Sequence, residues 1–244
     1  MEIHKHPHHV THKKKWGEYL LEFFMLFLAV FLGFIAENIR ENKVEKKQGR
    51  EYIKSFVEDL KQDTAQFKKL AREYNYYDSV TNKIFSCYDT LSHNATSTGC
   101  LKEIIPYLTR FTDFIYTDRT IQQLKNAGGL RLISDKDVSD SIIDYDALVR
   151  QEFIHQEVLE INQAKSIEAV RSEVDFLSFS LLYPGKDERA VKPVLLATDK
   201  AAIDNLFNAL WVFKSTLRGQ NHYITNLDAK ATRLIYYLEK KENN

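Results

Sequence analysis

Five histidines crowd the start of the chain, His4, His6, His8, His9 and His12 in MEIHKHPHHVTHKKKW, and imidazoles at this density form a ligand set for Zn or Ni. Such short tracts bind metal weakly and exchangeably, because a closed site needs fixed geometry. The same tract also fits a segment that gains positive charge as the pH falls towards 6 and lies against anionic lipid. The other histidines, His93, His155 and His222, stand alone, with no H-x-x-x-H or C-x-x-C spacing. The two cysteines, Cys87 and Cys100, bracket the turn SHNATSTG. A disulfide there would clip two helix ends together and contribute roughly 3 kcal/mol, and two reduced, buried thiols are the alternative. Asp140 with Asp144, and Glu157 with Glu160, lie one helical turn apart, a spacing used by acid–base pairs and equally by solvated helix faces. No nucleophile elbow or Walker loop is present, and the Gly-Gly-Leu-Arg-Leu-Ile block lacks the lysine of a phosphate loop. No catalytic residue and no enzymatic activity are expected.

The elements that must position these groups begin with Lys13 to Asn38, KKKWGEYLLEFFMLFLAVFLGFIAEN. From Tyr19 to Ala36 the only charge is Glu22, and 18 residues at about 1.5 Å each span roughly 27 Å, close to a bilayer's hydrocarbon core. Trp16 and Tyr19 fall where an interfacial aromatic belt is expected, with Lys13, Lys14 and Lys15 outside it. A single transmembrane helix is predicted over 16–38, following a tail at 1–15. Cleavage as a signal peptide is disfavoured, because a cut after Ala36 would put Phe34 where a small residue is required. Glu22 is a functional candidate as an intramembrane carboxylate, and its depth also lets it reach headgroup water or a flanking lysine. Ala29 and Gly33 give the small-x-x-x-small pattern of close helix contacts.

Basic residues flank the span almost equally, Lys5, Lys13, Lys14 and Lys15 on one side and Arg40, Lys43, Lys46, Lys47 and Arg50 on the other. The three adjacent lysines tip the balance towards a cytoplasmic N-terminus and a periplasmic domain at a bacterial inner membrane.

Three stretches carry a resemblance: EYLLEFFMLFLAVFLGFIAENIRE with its His-rich lead, EYIKSFVEDLKQDT, and TIQQLKNAGGLRLISDKDV from Thr120 to Val138. Together they resemble a family of uncharacterised bacterial single-span membrane proteins with an EF-x-M-x-FLAV-x-x-GF-x-AEN span. The resemblance implies that architecture and lends no activity.

Residues 39–244 read as one α-helical bundle domain, because only four prolines and eight glycines punctuate the whole chain and long helices are left uninterrupted. Residues seven apart form a seam, Ile53, Leu60, Phe67, Tyr74, Thr81 and Tyr88 beside Phe56, Asp63, Leu70, Tyr77, Ile84 and Leu91, predicting a stalk helix from Val44 to Leu91. Its bulky aromatics favour packing within one chain over a coiled coil between copies. A broken helix is expected over Leu101 to Tyr116 around Pro106, and a short one from Thr120 to Ala127 that Gly128 and Gly129 stop. A long helix follows, capped by Ser134 and running to Leu182 before Pro184 and Gly185. A last one, capped by Asp199, carries Leu206, Leu210, Phe213 and Leu217 on one stripe.

The fold class is therefore all-α, a single transmembrane helix leading into an antiparallel bundle. With 34 basic and 34 acidic residues the chain has no bulk field to recruit nucleic acid. The function this suggests is a structural or protein-interaction module at the membrane. Its partners would be the lipid bilayer, a membrane or periplasmic protein, or a second copy of the chain. The alternatives are a membrane sensor or metal-linked regulator using the tail, and an oligomeric ion or proton pathway through Glu22.

Overall fold

The computed structural model describes residues 15–96, 98–103, 108, 113–175 and 193–242. The described residues are helical with no strand, apart from an isolated bridge between Val174 and Leu195. Helix α1 spans Trp16–Phe85, α2 Tyr88–His93, α3 Arg119–Asn126, α4 Lys136–Glu173 and α5 Lys200–Glu242, with 3-10 turns at Thr98–Glu103 and Gly129–Leu132.

Helix α1 runs for 70 residues without a break, about 105 Å at 1.5 Å per residue. Every residue from Trp16 to Val44 is exposed, and Gly49 is the first to be buried. The exposed part is long and apolar enough to cross a membrane, and none of its apolar window is covered by the rest of the fold. The periodic part packs inward: Leu60, Phe67, Tyr74 and Thr81, with Phe56, Asp63, Leu70 and Ile84, are all buried in the chain's own core. Each fully buried Phe or Leu contributes roughly 1.5–3 kcal/mol, so this seam is spent within the chain.

Polar pairs fix the helix directions. Arg218 Nε donates to Asp78 at 2.6 Å, Asn221 to Asn75 at 2.8 Å, and Lys61 meets Glu239 at 3.2 Å, so α5 descends as α1 rises. Asn162 donates to Thr216 and Ser166 to the Ala209 carbonyl, which sets α4 antiparallel to α5. Residues 113–133 descend along α1, from the Gln66 side-chain amide paired with the Ile115 backbone to the contact between Gly49 and Leu132. The result is an up, down, up, down bundle whose last helix returns to the end from which the exposed stem of α1 emerges. Leu206, Leu210, Phe213 and Leu217 form the buried stripe of α5, and Asp199 caps it by accepting from Ala202 N at 3.1 Å.

Several boundaries differ from the sequence reading. Helix α1 ends at Phe85, before Leu91, where Ser86 Oγ donates to the Lys83 carbonyl and Cys87 N bonds at the tighter spacing to Ile84; α2 is a separate turn. The cap of α4 is Asp135 and not Ser134, because its Oδ1 accepts from both Asp137 N and Val138 N. That helix stops at Glu173 rather than Leu182. Between Leu101 and Tyr116 the described residues are the end of a 3-10 turn, the helical residue Leu108 and an irregular strip from Asp113, while Pro106, Pro184 and Gly185 lie outside the described residues. Gly128 terminates α3 as expected, in the left-handed region at φ 65°.

Candidate functional site

The two sequence blocks EYIKSFVEDLKQDT and TIQQLKNAGGLRLI meet on one side of α1, and carboxylates join them. Asp59 and Asp63 lie one turn apart, both buried. Asp59 accepts from Arg119 Nε at 2.9 Å and from Thr120 N at 3.1 Å. Asp63 accepts from Thr117 N at 3.0 Å and from the Tyr145 hydroxyl at 2.8 Å. Asp146 of α4 completes the cluster, taking Lys125, Arg150 at 3.0 Å and the Tyr116 hydroxyl at 3.3 Å. Burial pushes the Asp63 carboxyl up despite the lowering from Thr117 and Tyr145. Burial also acts upward on Asp146, but Lys125 and Arg150 outweigh it and hold the carboxyl below its usual range. These acids fasten the descending segment to α1 and α4. Each already holds at least two donors, so the cluster is built to fix structure. Lower down, the approach is close enough that a Cβ on Gly49 would sit 2.2 Å from the Leu132 carbonyl oxygen, which explains the glycine there.

Glu152 and Gln220 form a second buried pair, between α4 and α5. Gln220 Nε2 donates to Glu152 Oε1, while Glu152 Oε2 and Gln220 Oε1 have no partner among the described residues. Burial raises the Glu152 pKa from 4.5 to about 7, partly offset by the Gln220 hydrogen bond, with Asp113 adding to the rise.

At the opposite end of the bundle from the stem, Cys87 and Cys100 are both half-buried thiols. Burial drives the Cys100 thiol up to about 12, and its hydrogen bond with Cys87 pushes the same way. The sequence reading left bridged and reduced forms open, and the structure brings the two side chains together as thiols.

In the apolar stretch of α1, Glu22, Ala29 and Gly33 fall on one face by helical spacing, at i, i+7 and i+11. The other side carries an aromatic ladder, Phe23 on Phe27 at 6.3 Å and Phe27 on Phe31 at 5.9 Å. Apart from the helix's own backbone, no described atom lies within 4 Å of where a Cβ on Gly33 would stand.

His4, His6, His8, His9 and His12 lie outside the described residues. Among the described residues no three His, Cys, Asp or Glu side chains gather as a metal site. His155 stacks on Tyr223 at 3.6 Å between centroids, His93 Nδ1 meets the Asp89 carbonyl, and His222 meets Asn226. Asp140, Asp144, Glu157 and Glu160 are all exposed, as on a solvated face.

Sequence reasoning met Asp63 only as a polar residue in an apolar seam and did not single out Asp59, Asp146 or Glu152. Acids at the core period of helices were the available signal. Comparison of the chain with protein-family models, with curated proteins and with solved structures finds no match in any of the three.

Proposed function

We propose that this chain is a single-pass inner-membrane protein whose helical bundle serves as a structural or protein-interaction module displayed at the membrane surface. One observation carries this reading. Helix α1 continues without a break from its exposed apolar stretch into the core of the bundle, so any rotation or tilt of the span passes directly to the bundle. The polar fasteners at Asp59 and Asp63 then lock the descending segment to the same helix, making stem and bundle one lever. Trp16 and the lysines before it at one border, with Arg40 and Lys43 at the other, suit a span over 16–38. The triple lysine favours a cytoplasmic tail and a periplasmic bundle, and the resemblance to single-span bacterial membrane proteins supports the same architecture.

The test is alkaline carbonate extraction of membranes containing the full chain, followed by affinity purification in mild detergent and native mass measurement. The chain is expected to stay with the lipid and to carry a stoichiometric protein partner. Release into the wash would refute the span, and a lone monomer would refute the interaction module.

A second reading rests on the shared face of Glu22, Ala29 and Gly33, which suits close packing against another copy of the span. If such an oligomer conducts ions or protons, Glu22→Gln abolishes flux in proteoliposomes while insertion persists. Unchanged flux excludes an essential charge at Glu22.

A further inference from the structure

Immediately beyond the apolar stretch, α1 sorts its charges by face. Lys43, Lys46, Lys47 and Arg50 follow the i, i+3, i+4, i+7 pattern of one helix face, and Glu37, Glu41 and Glu45 follow i, i+4, i+8 on the opposite side. A helix that only needs solubility alternates its charges so that Glu and Lys meet at i, i+4. This one sets like beside like, Lys43 with Lys47 and Lys46 with Arg50, an arrangement that costs helix stability. Arg40 pairs with Glu37, but none of the four basic residues of the stripe lies in ion-pair range of a carboxylate among the described residues, although Glu51 stands one turn above Lys47. All four are exposed.

The stripe borders a cleft of about 320 Å³ at the foot of the bundle, lined by Lys46, Arg50 and Lys241, with Gly49, Ser134 and Asp135. Asp135 is already engaged, accepting from Lys241 at 2.6 Å and capping α4. Among the described residues Lys46 and Arg50 thus line the cleft with no ion pair of their own.

Position selects the anion. Lys43, Lys46 and Lys47 start about 7 to 13 Å beyond Asn38 along the helix, and the interfacial layer is about 5 to 7 Å deep on each side of the hydrocarbon core. Side chains on a helix lean towards its N-terminus, which here is the apolar side, so the ammonium groups reach back towards the headgroups. A tilt of up to about 40° lowers Arg50 from about 18 Å to about 14 Å above Asn38. From there its charge acts across a Debye length of about 8 Å.

We propose that this face and the mouth of the cleft bind the phosphates of anionic phospholipid headgroups, so that the stem leans with its basic side to the membrane and its acidic side away. The inference rests on the spanning reading. It also accounts for the near tie in flanking basic residues, because those beyond the span serve as a headgroup clamp on the domain side.

The experiment titrates the purified full chain with phosphatidylglycerol or phosphatidylcholine of matched acyl chains and counts bound lipid by native mass spectrometry. The native chain is expected to prefer phosphatidylglycerol. In Lys46→Gln/Arg50→Gln that affinity falls by about 25-fold, or about fivefold per charge, since each surface basic residue is worth about 1 kcal/mol and 1.4 kcal/mol is tenfold. The matched variant Arg72→Gln/Lys165→Gln, exposed and remote from the stem, keeps the native preference. Equal retention of the two lipids by the native chain, or an equal loss in both variants, overturns the site. Displacement of phosphatidylglycerol by millimolar inorganic phosphate overturns the lipid assignment in favour of a free-phosphate site. Carbonate extraction run in parallel separates the premises: a chain that washes out of membranes fails the spanning reading as well, whereas one that stays and shows no headgroup preference fails only this proposal.

Discussion

Glu152→Gln is expected to stabilise the bundle at pH 8, to leave it nearly unchanged at pH 5, and to remove a pH dependence that the native chain carries. Glu152 and Gln220 are both buried, and among the described residues Glu152 Oε2 and Gln220 Oε1 are two acceptors without a donor. A proton on Oε2 supplies the missing donor, and so does the amide of a glutamine at 152. Burial lifts the folded pKa from 4.5 to about 7, so the folded state holds this proton more tightly than the unfolded state does. Between those two values the native chain binds more protons than the unfolded chain, and its stability falls as the pH rises, levelling off above about 7 and below about 4.5. The gap is about 2.5 pH units at 1.36 kcal/mol each, or about 3 kcal/mol of stability missing at pH 8.

About 2.5 kcal/mol of this is lost between pH 5 and pH 8, and for a chain of this size each kcal/mol moves the melting temperature by about 2–4 °C, so the native protein is expected to melt about 5–10 °C lower at pH 8 than at pH 5 through this group alone. Thermal unfolding of the detergent-solubilised full chain, followed by circular dichroism at both pH values, reads this directly. Asp63, also raised by burial, adds a slope of the same sign, so the quantity that isolates Glu152 is the difference between native and variant curves. That difference should be near zero at pH 5 and reach several degrees at pH 8. If the two proteins change in parallel with pH, the carboxyl is not buried and protonated as argued.

Gly49→Ala gains about 1 kcal/mol of helix propensity but drives a Cβ to 2.2 Å from the Leu132 carbonyl, which costs about 1–3 kcal/mol of overpacking or more, so a lower melting temperature is expected. Gly33→Ala, with open space around it, should leave bundle melting unchanged, and equal behaviour of the two variants would refute the close approach at Gly49. Asp59→Ala strands Arg119 and the buried Thr120 N–H and should cost about 3 kcal/mol in the same melts, while Asp59→Asn, which keeps one acceptor, should cost less. Burial pushes the Cys100 thiol up and so disfavours its thiolate, and iodoacetamide should label it far more slowly in the folded chain than in urea; equal rates would refute its burial. Because Cys87 and Cys100 are in hydrogen-bond contact, a small disulfide oxidant is expected to join them within one chain, read as loss of both alkylation sites by mass.

What the sequence made legible and what it hid divide along a physical line. The seam of α1 and the Leu206 to Leu217 stripe of α5 were readable because a helix imposes its period on neighbouring residues, and both are buried as expected. The cap of α4 was read one residue early because Ser134 and Asp135 are both good caps in sequence, and only the backbone path decides which oxygen meets the Asp137 and Val138 amides. Asp59 and Asp63 belong to another kind of problem. Their partners lie 54, 61 and 82 residues away, at Thr117, Thr120 and Tyr145, and no local period encodes such a pairing. An acid at a core position still carries information, because burying it without partners would cost several kcal/mol, so the fold must bring donors to it. Asp59, Asp63, Asp146 and Glu152 thus mark in advance where distant segments dock on α1 and α4. The first three met enough donors to become fasteners. Glu152, with one donor for two oxygens among the described residues, became a group whose burial ties stability to pH.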